Sequence, residues 1–371
     1  MKQQLPFELK GPIVAHGIIY SLKGRGATIN PEGRFESRVR ANVADGWDVR
    51  PEEELPKLET AVTEEIAKSI IARNESPDVG FSQSINPYRG CEHGCVYCYA
   101  RPTHAYLNLS PGLDFETKLF AKVNAAQLLR EELARPGYRC EVIALGANTD
   151  PYQPIERELR ITRQILEVLA ECEHPLGIVT KSSMVERDVD LLAPMAAKNL
   201  VNVFISITTL DHELARRLEP RATAPQRRLQ TIKKLSEAGI PCGVFVAPVI
   251  PFLTDSGVEK VLEAAREAGA TMAGYVLLRL PHEVKELFKA WLEQHYPLKA
   301  GHVMSRMREM RGGRDNDPEF GSRMRGEGEL ADLLAKRFEL AYQRLGFNDE
   351  RKPLDTKRFR RPQRDGQMNL F

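Results

Sequence analysis

Cys91, Cys95 and Cys98 stand within eight residues of one another at C-x3-C-x2-C spacing, in the run Gly90-Cys91-Glu92-His93-Gly94-Cys95-Val96-Tyr97-Cys98. Each thiolate is a metal ligand. The remaining cysteines, Cys140, Cys172 and Cys242, occur singly. Structural zinc takes four protein ligands, commonly as paired spacings, and a [4Fe–4S] cluster normally takes four cysteines. A triplet leaves either centre one ligand short. A cluster held by three cysteines keeps one iron open to an outside ligand. A zinc loop and three free buried cysteines are the alternatives. Gly90 and Gly94 permit the tight loop backbone that a cluster needs and weigh against both.

Such a loop needs a scaffold. From about Phe81 the pattern becomes regular. Ser82–Pro87 reads as a strand running into the cysteine loop. Glu116–Leu133 reads as a helix, with Leu119, Val123, Ala126 and Leu133 at helical spacing. Five further apolar runs follow as strands: Glu141–Ala147, Gly177–Thr180, Val201–Thr208, Cys242–Val249 and Met272–Leu280. Helical patterns separate them: Glu156–Cys172, Val185–Ala197, Pro225–Ala238, Gly257–Ala268 and Pro281–Gln294. Strands apolar throughout fit a parallel sheet covered on both faces. Six βα units predict an incomplete (βα)6 barrel of the α/β class. Sites in such barrels lie at the C-terminal strand ends. Those ends carry Asn148, Thr149 and Asp150, then Lys181, then Ser206 and Thr208, then Ala247 and Pro248.

The cysteine triplet, with Tyr97 before its third member, resembles the radical SAM superfamily. The turn Leu145–Pro154 and the runs Thr180-Lys181-Ser182, Leu218-Glu219-Pro220-Arg221 and Phe245-Val246-Ala247-Pro248 resemble its spore photoproduct lyase-like group, also called DNA repair photolyase-like. The resemblance spans about Ile85 to Leu280. It implies a partial TIM-like barrel and a [4Fe–4S] cluster on Cys91, Cys95 and Cys98. It implies S-adenosylmethionine held by Tyr97, Thr149, Asp150, Lys181, Ser206 and Ala247. One-electron reduction of that cofactor gives methionine and a 5′-deoxyadenosyl radical. The implied substrate is a damaged or modified nucleobase, and the implied electron donor is a reductase or flavodoxin-type protein. The group's hydrogen-donating cysteine has no counterpart here, because Ala147 stands on the second-strand turn. Thymine-dimer lyase chemistry is therefore disfavoured, and Tyr99 and Tyr152 are the candidate hydrogen donors. RNA base modification, activation of a partner protein, and a non-catalytic iron–sulfur DNA-binding accessory role are the alternatives.

The chain has 371 residues and a net charge of +2, with 42% hydrophobic and 28% charged residues. No apolar run is long enough to span a membrane. Met1-Lys2-Gln3-Gln4-Leu5-Pro6 lacks the apolar core of a signal peptide. These features and the single cysteines predict a cytoplasmic protein. The balance of charge is local. Leu214–Lys234 carries seven Lys/Arg against one acid, and Arg351–Phe371 seven against two. Arg216, Arg217, Arg227 and Arg228 are candidates for a nucleic-acid backbone contact. Arg25 and Arg34 sit on an N-terminal loop that allows an anion contact. The chain ends Gln367-Met368-Asn369-Leu370-Phe371, which resembles the bacterial sliding-clamp-binding motif, with Gln367, Leu370 and Phe371 as anchors. The expected organisation is an irregular arm over 1–80, the core over 81–300, a helical extension over 301–350 with a last helix at Glu329–Leu345, and a basic tail over 351–371.

Overall fold

The computed structural model describes residues 24–35, 58–347 and 352–362. Four short strands come first: β1 (Ala61–Glu65), β2 (Ile71–Arg73), β3 (Gln83–Ile85) and β4 (Tyr88–Arg89). Next are α1 (Asp114–Thr117), β5 (Lys118–Lys122), α2 (Ala125–Leu133), β6 (Ile143–Leu145), α3 (Glu156–Leu159), α4 (Ile161–Glu171), β7 (Leu176–Thr180), α5 (Val189–Ala197) and β8 (Val201–Ser206). The chain continues through α6 (His212–Leu218), α7 (Pro225–Glu237), β9 (Cys242–Val249), α8 (Val258–Glu267), β10 (Met272–Leu277), α9 (Val284–His295), α10 (Pro297–Glu309) and α11 (Glu329–Arg344).

The main sheet runs β10-β9-β8-β7-β6-β3-β2. Its six strands from β3 to β10 are parallel neighbours in chain order, and β2 closes one edge antiparallel to β3. This is the open, partial barrel that the sequence pattern predicts. The strands are buried, as two-sided coverage requires: Ile143, Ala144 and Leu145 of β6 all lie in the interior. The helices form the outer layer, with α2 on α4, α4 on α5, and α11 on α8. Gly243 and Gly274 make room for rings. A Cβ on Gly243 would stand 2.3 Å from the Phe204 ring, and one on Gly274 would stand 2.8 Å from the Phe245 ring. Phe204 and Phe245 stack at 4.5 Å between centroids.

Several expectations need correction. Residues 61–65 and 71–73 of the expected irregular arm are strands. The predicted helix Glu116–Leu133 is broken by β5, which pairs parallel with β1 and antiparallel with β4 in a separate three-stranded sheet. In β5, Leu119 and Ala121 are buried while Lys118 is exposed, a period of two, whereas the helical reading rests on Leu119 and Val123, four apart. One helix lies outside the expected pattern, and a second gives the expected helical extension its first element. In α6, Asp211 caps the N-terminus by accepting from the Glu213 and Leu214 N–H groups. The other is α10, which lies in the Arg- and Met-rich stretch and buries Val303, Met304 and Met307.

The first half of the basic tail is also docked. Phe359 meets His174 edge-on at 5.2 Å, and the Arg360 N–H donates to the Cys172 carbonyl at 2.8 Å. Gln367, Leu370 and Phe371 lie outside the described residues. Among the described residues, no helix is long and apolar enough to cross a membrane.

Candidate active site

The cysteine loop follows β4 and turns twice through left-handed backbone. Gly90 has φ +77° and Gly94 has φ +69°, conformations that side chains on L-residues rarely adopt. A Cβ at Gly90 would also stand 2.8 Å from the Phe115 carbonyl oxygen. Beneath the loop lies a fully buried ion pair. Arg101 Nη2 meets Glu116 Oε1 at 2.5 Å, Arg101 Nε donates to the Cys95 carbonyl at 2.9 Å, and Nη1 donates to Gly112 at 2.8 Å. The Gly26 and Ala27 N–H groups satisfy the rest of Glu116 at 2.9 and 2.8 Å. Buried charge is tolerable only when paired and hydrogen-bonded in this way. Arg25, a candidate anion contact, instead donates to the backbone carbonyls of Glu116 and Leu58. Arg34 lies over the Phe35 and Tyr106 rings.

Above the loop the C-terminal ends of the strands enclose a cleft of about 530 Å³. Cys91, Cys95 and Cys98 all line it, together with Tyr97, Asp150, Lys181, Ser206 and Ala247. The size suits a whole cofactor or similar ligand. Burial pushes all three thiols up, and the neighbouring carboxylate Asp150 adds to this at Cys91, Glu219 at Cys95. Protonated and out of water, the thiols need a positive centre to become ligands, which a bound cluster provides. Among the described residues no three His, Cys, Asp or Glu side chains converge on a single-ion site of the kind structural zinc needs. A donor set of three cysteines opening on one cleft fits a cluster with one free iron.

Two buried carboxylates order the polar wall. Asp150 accepts from the Thr180 hydroxyl (2.7 Å) and the Lys181 N–H (2.8 Å), and lies 3.3 Å from His93 Nδ1. Burial alone would raise its pKa, but His93 and these donors hold it at about 2. Glu219 accepts from the Thr208 hydroxyl at 2.6 Å and from the Tyr97 hydroxyl, and pairs with Arg228. Burial again opposes ionisation, and Arg228 and Lys181 hold Glu219 at about 2. Lys181 Nζ lies 3.9 Å from Glu219 and 5.9 Å from the Tyr97 ring centroid. The Ala247 carbonyl accepts from Thr208 at 3.0 Å.

Not every expected residue reaches this cleft. Thr149 spends its hydroxyl on the Tyr88 carbonyl at 2.8 Å and does not line the cavity. Tyr152 is fully buried in the main core under the Arg187 guanidinium, outside the cleft, so it is corrected from hydrogen donor to core residue. Tyr99 does line the cleft, its hydroxyl donating to the Ala147 carbonyl. Ala147 also faces the cleft, whereas Cys140, ahead of β6, does not. Arg228 is buried against Glu219, so it is corrected from phosphate contact to internal ion pair, whereas Arg227 and Arg217 pair with Glu186 and Glu213 near the surface and Arg216 is exposed. Arg279, at the end of the expected sixth strand, lines the cleft as the strand-end rule expects, and His93, Asn86 and Arg323 line it beyond the expected residues. His93 was detectable, since it lies inside the cysteine run.

A half-barrel with three cysteines at the mouth of its first strand defines a cluster-bearing enzyme of the partial-barrel class. The family model of the radical SAM superfamily matches residues 85–265. An uncharacterized protein of Mycobacterium tuberculosis (strain ATCC 25618 / H37Rv) is 40% identical over 271 residues, covering 71% of this chain and 78% of the relative. One of Methanocaldococcus jannaschii is 30% identical over 218 residues, covering 59% and 78%. The chain belongs to the radical SAM superfamily, whose enzymes use a [4Fe–4S] cluster and S-adenosylmethionine. Its fold is similar to that of spore photoproduct lyase complexed with dinucleoside spore photoproduct, at TM-score 0.54 and 15% identity over 76% of this chain and 79% of the other. A mutant of that lyase with bound AdoMet and the same dinucleoside superposes equally, at TM-score 0.54 and 16% identity over 76% and 79%.

Proposed function

We propose that this enzyme acts on a damaged or modified nucleobase in DNA. The observation that carries the reading is the shape of the cleft. It extends past the cysteines and Lys181 to a second wall of Asn74, Phe81, Tyr99, Arg279 and Arg323. Flat rings beside guanidinium groups suit a base with its sugar-phosphate backbone. A base in a duplex must first leave the stack to enter such a cleft. The fold neighbour that holds a dinucleoside lesion supports the same substrate class.

In this reading Cys91, Cys95 and Cys98 hold the cluster. When bound, the cluster and S-adenosylmethionine supply a carbon-centred radical that removes a hydrogen atom from the substrate. The protein's own residues bind and orient. Lys181 suits the cofactor's carboxylate, and Asp150 its amino group. Ser206 offers a hydroxyl, Tyr97 lines the cleft beside Lys181, and Ala247 leaves space near the stacked Phe204–Phe245 pair for a purine. Tyr99 is the hydrogen donor candidate at the substrate end. Its hydroxyl is held toward the second-strand turn by donating to the Ala147 carbonyl. The core over 81–300 thus carries the chemistry, with α10 and α11 of the extension packed beside it. Gln367, Leu370 and Phe371 bring a sliding clamp, and a reductase or flavodoxin-type protein delivers the electron.

Label transfer tests the reading. Reconstituted enzyme is turned over anaerobically with lesion-bearing DNA deuterated on its bases. Deuterium is expected in 5′-deoxyadenosine or in recovered S-adenosylmethionine. Steady 5′-deoxyadenosine formation with no deuterium in either would refute a DNA base as the hydrogen source.

A further inference from the structure

The second wall of the cleft holds more guanidinium charge than its carboxylates neutralise. Arg279 follows β10 and lines the cleft. Its Nε is buried without a hydrogen-bond partner, and Nη1 reaches only the Met324 sulfur at 3.8 Å. Among the described residues Arg279 has no ion pair. Arg311, only 1% exposed, lies behind it. Its Nη2 donates to the carbonyls of Leu278 and Arg323, while Nε and Nη1 have no partner. Arg323 also lines the cleft and is the one member that is paired, to Asp78, with Ser76 accepting a second bond at 2.6 Å. Asp317, the other nearby acid, already accepts from Ser322 and from the Glu319 N–H. Burial and mutual repulsion depress Arg279 and Arg311, so the wall carries a standing electrostatic cost. Unpartnered guanidinium donors at a cavity wall match the fork geometry of a phosphate.

We propose that this wall is an anion subsite in which Arg279, backed by Arg311 and Arg323, binds a phosphate group of the substrate. Tyr99, whose ring lies 5.7 Å from the Arg279 guanidinium, stands between that phosphate and the cysteine end of the cleft. A base 5′ or 3′ to the bound phosphodiester is thereby directed toward the cofactor. The proposal rests on the nucleic-acid reading for the source of the phosphate, and on the arginines alone for the site.

The full chain and R279Q are titrated with inorganic pyrophosphate, with fluorescent single-stranded DNA, and with the same DNA carrying neutral methylphosphonate linkages. Wild type is expected to bind pyrophosphate and the phosphodiester DNA in competition. R279Q is expected to weaken both by about tenfold or more, the loss of a charge-assisted contact, while methylphosphonate DNA binds both proteins alike. R279K should recover part of the loss, and matched melting temperatures exclude misfolding. Pyrophosphate binding that is absent in wild type, or unchanged in R279Q, overturns the subsite. So does equal weakening of charged and neutral DNA. If neither protein binds DNA but R279Q still loses pyrophosphate, the subsite stands and the nucleic-acid reading falls.

Discussion

Replacing Cys95 with alanine is expected to remove the iron–sulfur absorption of the reconstituted protein. It should also reduce 5′-deoxyadenosine formation to the level seen without enzyme. In the proposed reading the cluster takes only three cysteines, and it has no spare ligand to lose. The fold should survive, because Arg101 holds the loop through the Cys95 carbonyl at 2.9 Å, not through its sulfur. Cys242 is the matched control. It is buried at the start of β9, away from the cleft, and its thiol donates to the Ile240 carbonyl at 3.2 Å. C242A should keep both the absorption and the product. Retained absorption and undiminished product in C95A would show that the cluster is held elsewhere.

The second large effect concerns stability. Arg228→Met leaves Glu219 as a buried carboxylate whose nearest remaining cation is Lys181 at 3.9 Å. Removing one partner of a buried pair costs about 3–5 kcal/mol, a large share of the 5–15 kcal/mol typical of a folded domain. The Arg228 guanidinium also donates to the Ser206 carbonyl at 2.9 Å, so the end of β8 should loosen. Denaturant midpoints of R228M, E219Q and the double variant measure the coupling. The double variant is expected to cost less than the sum of the singles. A loss below about 1 kcal/mol in R228M would contradict the buried-pair account.

Glu219 also gives this stabilisation a pH window. Its ordinary value is 4.5 and the folded value about 2. The contribution is therefore complete above pH 4.5 and is lost as pH falls through about 2. R228M should narrow that window.

What the sequence made legible follows from how local each signal is. Cys91, Cys95 and Cys98 are close in the chain, so their spacing alone suggests a shared centre, and all three line one cleft. The strands β7, β8, β9 and β10 are short apolar runs between turn residues, and apolarity is a local property. Burial of charge is not. Arg228 lies in a run of basic residues that reads as a solvated face, and only the fold brings Glu219 against it. Arg279 and Arg323 are 44 residues apart in the chain and share a wall only because the segment after α10 folds back over β10. The Leu277 N–H donates to the Met324 carbonyl at 2.9 Å at this crossing. Thr149 shows the opposite failure. It follows β6 where the strand-end rule places a ligand contact, but the Tyr88 carbonyl captures its hydroxyl. Leu119 belongs to two patterns at once, helical with Val123 and strand-like with Ala121, and the pairing of β5 with β1 decides between them.

The central claim is that a radical SAM enzyme is coupled to a DNA base through this one cleft. Its most direct measure is 5′-deoxyadenosine released under dithionite in three arms: no nucleic acid, lesion-bearing DNA and tRNA. The account predicts a low basal yield, a clear increase with lesion-bearing DNA and no increase with tRNA. An increase with tRNA alone, from protein whose cluster is intact, would contradict it.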